Sequence, residues 1–132
     1  MSLPFLDTNI LVYAFGYADP RKPIAEDLLL LGGTVSVQVL NEFASVARKK
    51  YQMSWDSIKR SIEQTRVCCP EPRTITLSTH WAALRLCEQY RVGIYDGLIL
   101  ASALEAGCDF LYTEDLQHSQ TIEGLRIIDP FL

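Results

Sequence analysis

The sequence predicts an α/β fold of three layers, with helices on both faces of a central, mostly parallel sheet. Two observations carry that expectation. Short β-rich runs alternate with longer segments of helical spacing, and such alternation buries its apolar faces as a parallel sheet between helices. The segment YDGLILASALEAG, residues 95–107, is apolar on nearly every side, as a helix enclosed by neighbours must be. With 132 residues, 48% of them hydrophobic, the chain suits one domain over 1–132 with a sizeable core. No linker, internal repeat or low-complexity tract interrupts it.

The elements follow in order. PFL, ending at Leu6, is a short strand, and the helix after it is capped at Thr8 or nearby. ADPRKP breaks the chain, and Pro23 suits the first turn of a helix running to about Leu31. Gly32 and Gly33 end that helix, and TVSVQV, residues 34–39, is β-rich. LNEFASVARKK has helical spacing, MSWDSIKRSIEQT is a helix opened by Ser54, and CCPEPR is a loop. A long helix covers about Ser78 to Tyr90. The enclosed helix ends at Gly107. DFLYT is a buried strand, and LRIID before Pro130 is the last.

Composition excludes several classes. No apolar run reaches the roughly 18 residues of a membrane span. No basic stretch precedes an apolar core at the start of the chain, so the expected setting is the cytoplasm. Cys68, Cys69, Cys87 and Cys108 form no C-x-x-C pair, and His80 and His118 stand apart, so zinc-ligand spacing is missing. The cysteines read as small, reduced core residues. A net charge of −4 argues against a protein that coats nucleic acid. Arg48, Lys49 and Lys50 are a local exception: either a solvated helix end suited to the dipole or a contact for phosphates.

Four acids stand out by position. Ligands of open parallel sheets bind beyond the carboxyl ends of the strands, and Asp7 and Asp115 follow two predicted strands at that edge. On a wheel of about 100° per residue, Glu42 borders the apolar face centred on Phe43. Asp96 sits at the entrance of the enclosed helix, where the dipole favours an anion. Each has a plain alternative. Asp7 and Asp96 could be helix caps, Glu42 could pair with Lys49 or Lys50, and Asp115 could be a turn residue. If the four converge, two carboxylates about 4 Å apart repel by roughly 4 kcal/mol at an effective dielectric of 20. The cluster must then hold protons or divalent cations. Oxygen ligands without His or Cys suit Mg²⁺ or Mn²⁺, ions that polarise a phosphodiester and activate water.

FLDTNILVYAF, NEF at 41–43, YDGLILASA at 95–103 and LYTEDLQHSQTIEGLRIIDPF together resemble the motifs of the PIN domain, most of all the VapC-like toxin ribonucleases of toxin–antitoxin pairs. The resemblance spans nearly the whole chain, in order. It implies that Asp7, Glu42, Asp96 and Asp115 are the acidic quartet that holds Mg²⁺ or Mn²⁺. Thr8, Asn9 and Thr113 match polar positions around the metals, and Glu114 is an extra acid that could share the role of Asp115. It further implies a metal-dependent endoribonuclease, a homodimer, and a cognate antitoxin that blocks the site. Arg48, Lys49 and Lys50 would then guide the RNA backbone. Two other classes compete. A haloacid-dehalogenase-like phosphotransferase needs D-x-D, and position 9 is Asn. A non-catalytic RNA-binding or scaffold module would work with its acids removed.

Overall fold

A computed structural model describes residues 3–132. Among these residues the chain forms six helices and four short strands: β1 (Phe5–Leu6), α1 (Thr8–Phe15), α2 (Lys22–Leu31), α3 (Val37–Lys49), α4 (Trp55–Cys68), α5 (Leu77–Tyr90), α6 (Ile94–Glu105), β2 (Phe110–Tyr112), β3 (Thr121–Ile122) and β4 (Leu125–Ile128). The strands make one sheet in the order β1-β2-β4-β3. β1 pairs with β2, and β2 with β4, in parallel, while β3 runs antiparallel to β4. This is the expected three-layer α/β architecture with a mostly parallel sheet. Phe5, Leu6, Leu111 and Ile127 are fully buried in it, but Phe110 and Arg126 are exposed, so DFLYT is buried on one face only and not throughout as expected.

One strand expectation fails and one strand is unexpected. TVSVQV is not a strand. Thr34 and Ser36 make only isolated parallel bridges, to Phe5 and Arg73, and α3 has already begun at Val37. Ser36 Oγ accepts a hydrogen bond from Val39 N at 3.2 Å, so the serine caps a helix where the valines favour a strand. Val39, Phe43 and Ala47 then lie one turn apart and are all buried. Packing of that stripe overrides the β propensity of Val37 and Val39. β3 is the second difference. Glu123 and Gly124, at φ 51° and 90°, form the two-residue turn that folds it back on β4, and left-handed φ at both positions is the hairpin geometry matched to strand twist.

Helix ends account for the remaining boundaries. Lys22 Nζ donates to the carbonyls of Ala14 and Gly16 at 2.8 and 3.0 Å, which satisfies orphan acceptors at the end of α1. α4 opens at Ser54 as expected but runs on to Cys68. α5 starts at Leu77 under a Thr76–Thr79 capping box. Thr79 Oγ1 also donates to Glu105 Oε2 at 2.9 Å, tying the start of α5 to the end of α6. All four cysteines are free thiols, and Cys69 and Cys108 are buried.

α5 and α6 also pack tightly at Gly97. A Cβ there would lie 2.5 Å from Cys87 Sγ and 2.9 Å from the Ala83 carbonyl oxygen. Gly97→Ala therefore gains helix propensity but must push the two helices apart, and overpacking of this kind costs about 1–3 kcal/mol. The expected outcome is a lower urea midpoint; an unchanged or raised midpoint would show that the helices yield freely.

Candidate functional site

The parallel pairing sets the site. Leu6 is in register with Tyr112, and Asp7 N donates to the Tyr112 carbonyl at 3.0 Å. Asp7 and Thr113 therefore leave the sheet side by side at its carboxyl edge. Thr113 Oγ1 donates to Asp7 Oδ2 at 2.7 Å and accepts from Asp115 N at 3.0 Å, so one hydroxyl orients both acid-bearing segments. Asp7 Oδ1 accepts from Thr8 N at 2.6 Å, which makes Asp7 the N-cap of α1 as well. Asp96 arrives from the first turn of α6, whose N-cap is Gly93. The cap alternative for Asp96 is thereby excluded.

Asp7, Asp96 and Asp115 can each offer a carboxylate oxygen such that all three lie within 4.8 Å of one another. Glu42 lies outside that trio. Its Oε2 accepts from Thr8 Oγ1 at 2.8 Å, which holds it on the border that the α3 wheel predicts. Asn9 Nδ2 donates to Asp115 Oδ2 at 3.2 Å. Asn9 Oδ1 is buried and has no hydrogen-bond partner, although a buried amide oxygen ordinarily finds one. All of these acids, with Glu114, open into one cleft of about 360 Å³.

Glu114 is already engaged. Tyr13 Oη donates to its Oε1, and Arg21 Nη1 donates to its Oε2 at 3.4 Å while the guanidinium stacks over the Tyr13 ring at 4.1 Å. The three consecutive cations also separate. Lys50 lines the cleft. Arg48 instead donates to the Met53 carbonyl at 3.0 Å and lies over the Trp55 ring at 5.1 Å. Lys49 is exposed and outside the cleft lining. The sequence reading missed Val12, Tyr13 and Tyr51 as lining residues. Helical spacing could have found the first two, because Asn9, Val12 and Tyr13 share one face of α1.

The protein-family model for the PIN domain matches residues 5–123. This chain belongs to the PIN domain family. Among solved structures, a toxin–antitoxin complex from Klebsiella pneumoniae is similar, with a TM-score of 0.72 at 21% identity, covering 96% of this chain and 97% of that one. VapC20 from Mycobacterium tuberculosis, a toxin that cleaves the sarcin-ricin loop, gives 0.67 at 15% identity over 84% and 88% of the two chains. VapBC2 from Rickettsia felis, bound to a DNA fragment from its promoter, gives 0.63 at 21% identity over 93% and 95%. These likenesses concern the fold. Comparison with curated protein sequences gives no match.

The electrostatics of this PIN domain centre on Asp7. Burial is the main cause that pushes its carboxyl from the usual 3.8 up to about 7, and Asp115 and Glu42 add to the rise. Hydrogen bonds from Thr113 and Thr8 oppose it. Burial also raises Glu42, Asp96 and Asp115, with neighbouring carboxylates adding in each case. Desolvation thus outweighs the mutual repulsion that the sequence alone emphasises. Both penalties fall on the ionised form, and a cation between the carboxylates would remove both. The donor set fits such an ion: three carboxylate oxygens within reach of one centre, all hard ligands.

Proposed function

We propose that this PIN domain is a metal-dependent endoribonuclease and the toxin of a toxin–antitoxin pair. The observation that carries the reading is the convergence of Asp7, Asp96 and Asp115 within 4.8 Å in an open cleft. Asp7, Glu42, Asp96 and Asp115 form the acidic set, and Mg²⁺ or Mn²⁺ held there would supply charge stabilisation at the phosphate and an activated water. The remaining work belongs to the chain's own groups. Thr113 and Thr8 fix the two oxygens of Asp7, Asn9 fixes Asp115, and Thr8 holds Glu42 as the outer member. Tyr13 and Arg21 occupy Glu114, which makes it a support rather than a fifth ligand. Lys50 offers a cation to the RNA backbone at the cleft wall.

The fold of the similar toxin–antitoxin structures supports an antitoxin partner, and the same family expectation gives a homodimer. A cytoplasmic setting agrees with the described residues, none of whose helices is long and apolar enough to cross a membrane. Capping of α1 explains Asp7 alone, whereas a non-catalytic RNA-binding module gives no reason for Asp96 and Asp115 to converge on it, so the enzymatic reading is preferred.

The test is incubation of the protein with end-labelled structured RNA in Mg²⁺, Mn²⁺ or EDTA. Discrete fragments in either ion and intact RNA in EDTA are expected. Intact RNA in both ions, or cleavage that survives EDTA, would refute the proposal.

A further inference from the structure

The cleft has a second end that the acids do not explain. α1 and α3 pack against each other, and a contact at the start of α1 and another just past the ends of both helices follow the two chains in the same direction. Thr8 Oγ1 meets Glu42, and further along Tyr17 Oη donates to the Tyr51 carbonyl at 2.7 Å. The groove between the helices therefore leads from the carboxylates to a pair of tyrosines nine residues further along each segment, roughly 13 Å at 1.5 Å per residue. Its wall there is Val12, Ser45, Val46, Lys50 and Tyr51, which joins apolar side chains to a serine hydroxyl and one cation.

The aromatic pair is fixed in place. The rings of Tyr17 and Tyr51 meet edge-on with centroids 5.3 Å apart, and the hydroxyl-to-carbonyl bond locks Tyr17 against the turn that follows α3. Tyr17 is nonetheless 66% exposed, and Tyr51 is half-buried and opens into the cleft. Lys50 Nζ lies 5.6 Å from the centroid of the Tyr51 ring. An aromatic pair with an ammonium over one of its rings offers the two things a single-stranded nucleotide needs, a face for the base and a charge for the phosphate. Paired bases cannot use it, since their faces are already stacked.

We propose that Tyr51, supported by Tyr17 and Lys50, is a stacking subsite for an unpaired base of the RNA, in a nucleotide next to the one that bears the scissile phosphate. The assignment rests on the ribonuclease reading above. Tyr51 follows Glu42 by nine residues along the groove, which places the subsite at a neighbouring nucleotide, so it selects unpaired strands around the cut rather than taking part in bond cleavage.

The experiment measures fluorescence anisotropy in Mg²⁺ on the full chain carrying Asp96→Asn, which permits binding without turnover. Three probes are used: a short single-stranded RNA of mixed sequence, the same backbone with abasic riboses, and the RNA annealed to its complement. The single-stranded RNA should bind about tenfold more tightly than the abasic strand, the change expected for one base stack. Adding Tyr51→Leu should abolish that preference, while Tyr51→Phe retains it and neither alters abasic or duplex binding. Lys50→Gln should weaken RNA and abasic strands alike and flatten the salt dependence. Equal affinity for RNA and abasic strands overturns the subsite whatever the variants do, and so does a Tyr51→Leu protein that keeps the preference. Cleavage by the unmodified chain separates the two readings. An enzyme that cuts RNA without this preference loses only the subsite; a chain that neither cuts nor binds RNA loses both.

Discussion

Asp7→Asn, Asp96→Asn and Asp115→Asn each lower the rate of RNA cleavage by about a thousandfold or more, because groups acting as one unit fail together when one is removed. Glu42→Gln gives a loss of the same kind. The amides keep the shape of the acids, which separates chemistry from folding. Asp7 caps α1 through Thr8 N, and Asn caps a helix as well as Asp, so folding should survive. Asp96 is not the cap of α6; its removal costs only a first-turn dipole interaction, about 0.3–1 kcal/mol. Glu114→Gln is the contrasting variant. Its carboxylate is occupied by Tyr13 and Arg21, so cleavage should fall far less than in the other four. Initial rates with melting curves for each variant decide the matter. Parental rates in the folded Asp96→Asn protein would contradict the assignment, and loss in Glu114→Gln alone would move the fourth acid one residue earlier.

The second large effect is on stability, and its sign follows from Asp7. The folded protein without metal holds the Asp7 proton up to about pH 7, whereas the unfolded chain releases it near 3.8. The contribution to stability is therefore fully present below the unfolded value and is lost as pH rises through about 7. One such group gives a slope near 1.4 kcal/mol per pH unit between the two values. Glu42, Asp96 and Asp115 shift in the same direction, so none of them opposes it. In EDTA the melting temperature should fall as pH is raised from 5 to 7.5, against the usual trend for paired carboxylates. Asp7→Asn removes the largest part of that slope, so it should melt above the parental protein at pH 7.5 in EDTA. Mg²⁺ or Mn²⁺ favours the ionised acids and should raise the parental melting temperature most at the upper end of the range. A parental slope of the opposite sign, or a melting temperature indifferent to both ions, would contradict the account.

Much of the site was readable before any coordinates because a parallel sheet imposes an edge. Asp7 and Asp115 each follow a strand, and pairing of Leu6 with Tyr112 brings those ends together whatever the helices do. Asp96 and Glu42 needed only a helix entrance and a helical wheel. Local propensity misled at Val37 and Val39, where a serine cap and a buried stripe outweighed β preference. β3 went unseen because a Glu-Gly turn is a weak hairpin signal and two residues carry no period. The roles of Tyr13 and Arg21 depend on contacts across the fold: Arg21 reaches Glu114 from the start of α2. No spacing in the sequence announces that. The different fates of Arg48 and Lys50 are of the same kind, set by where Trp55 and the cleft lie.

The central claim, that the converged acids are a divalent-cation site, is tested most directly by calorimetric titration of Mn²⁺ near pH 6.5 in two buffers of different ionisation heat. The parental protein should bind Mn²⁺ saturably and release protons as it does so, since Asp7 is still protonated in part at that pH and a ligating carboxylate must be ionised. Asp96→Asn should bind at least about tenfold more weakly, while Glu114→Gln should bind as the parent does. Saturable binding that releases no protons and is unchanged in Asp96→Asn would mean that any metal the protein takes is held somewhere else.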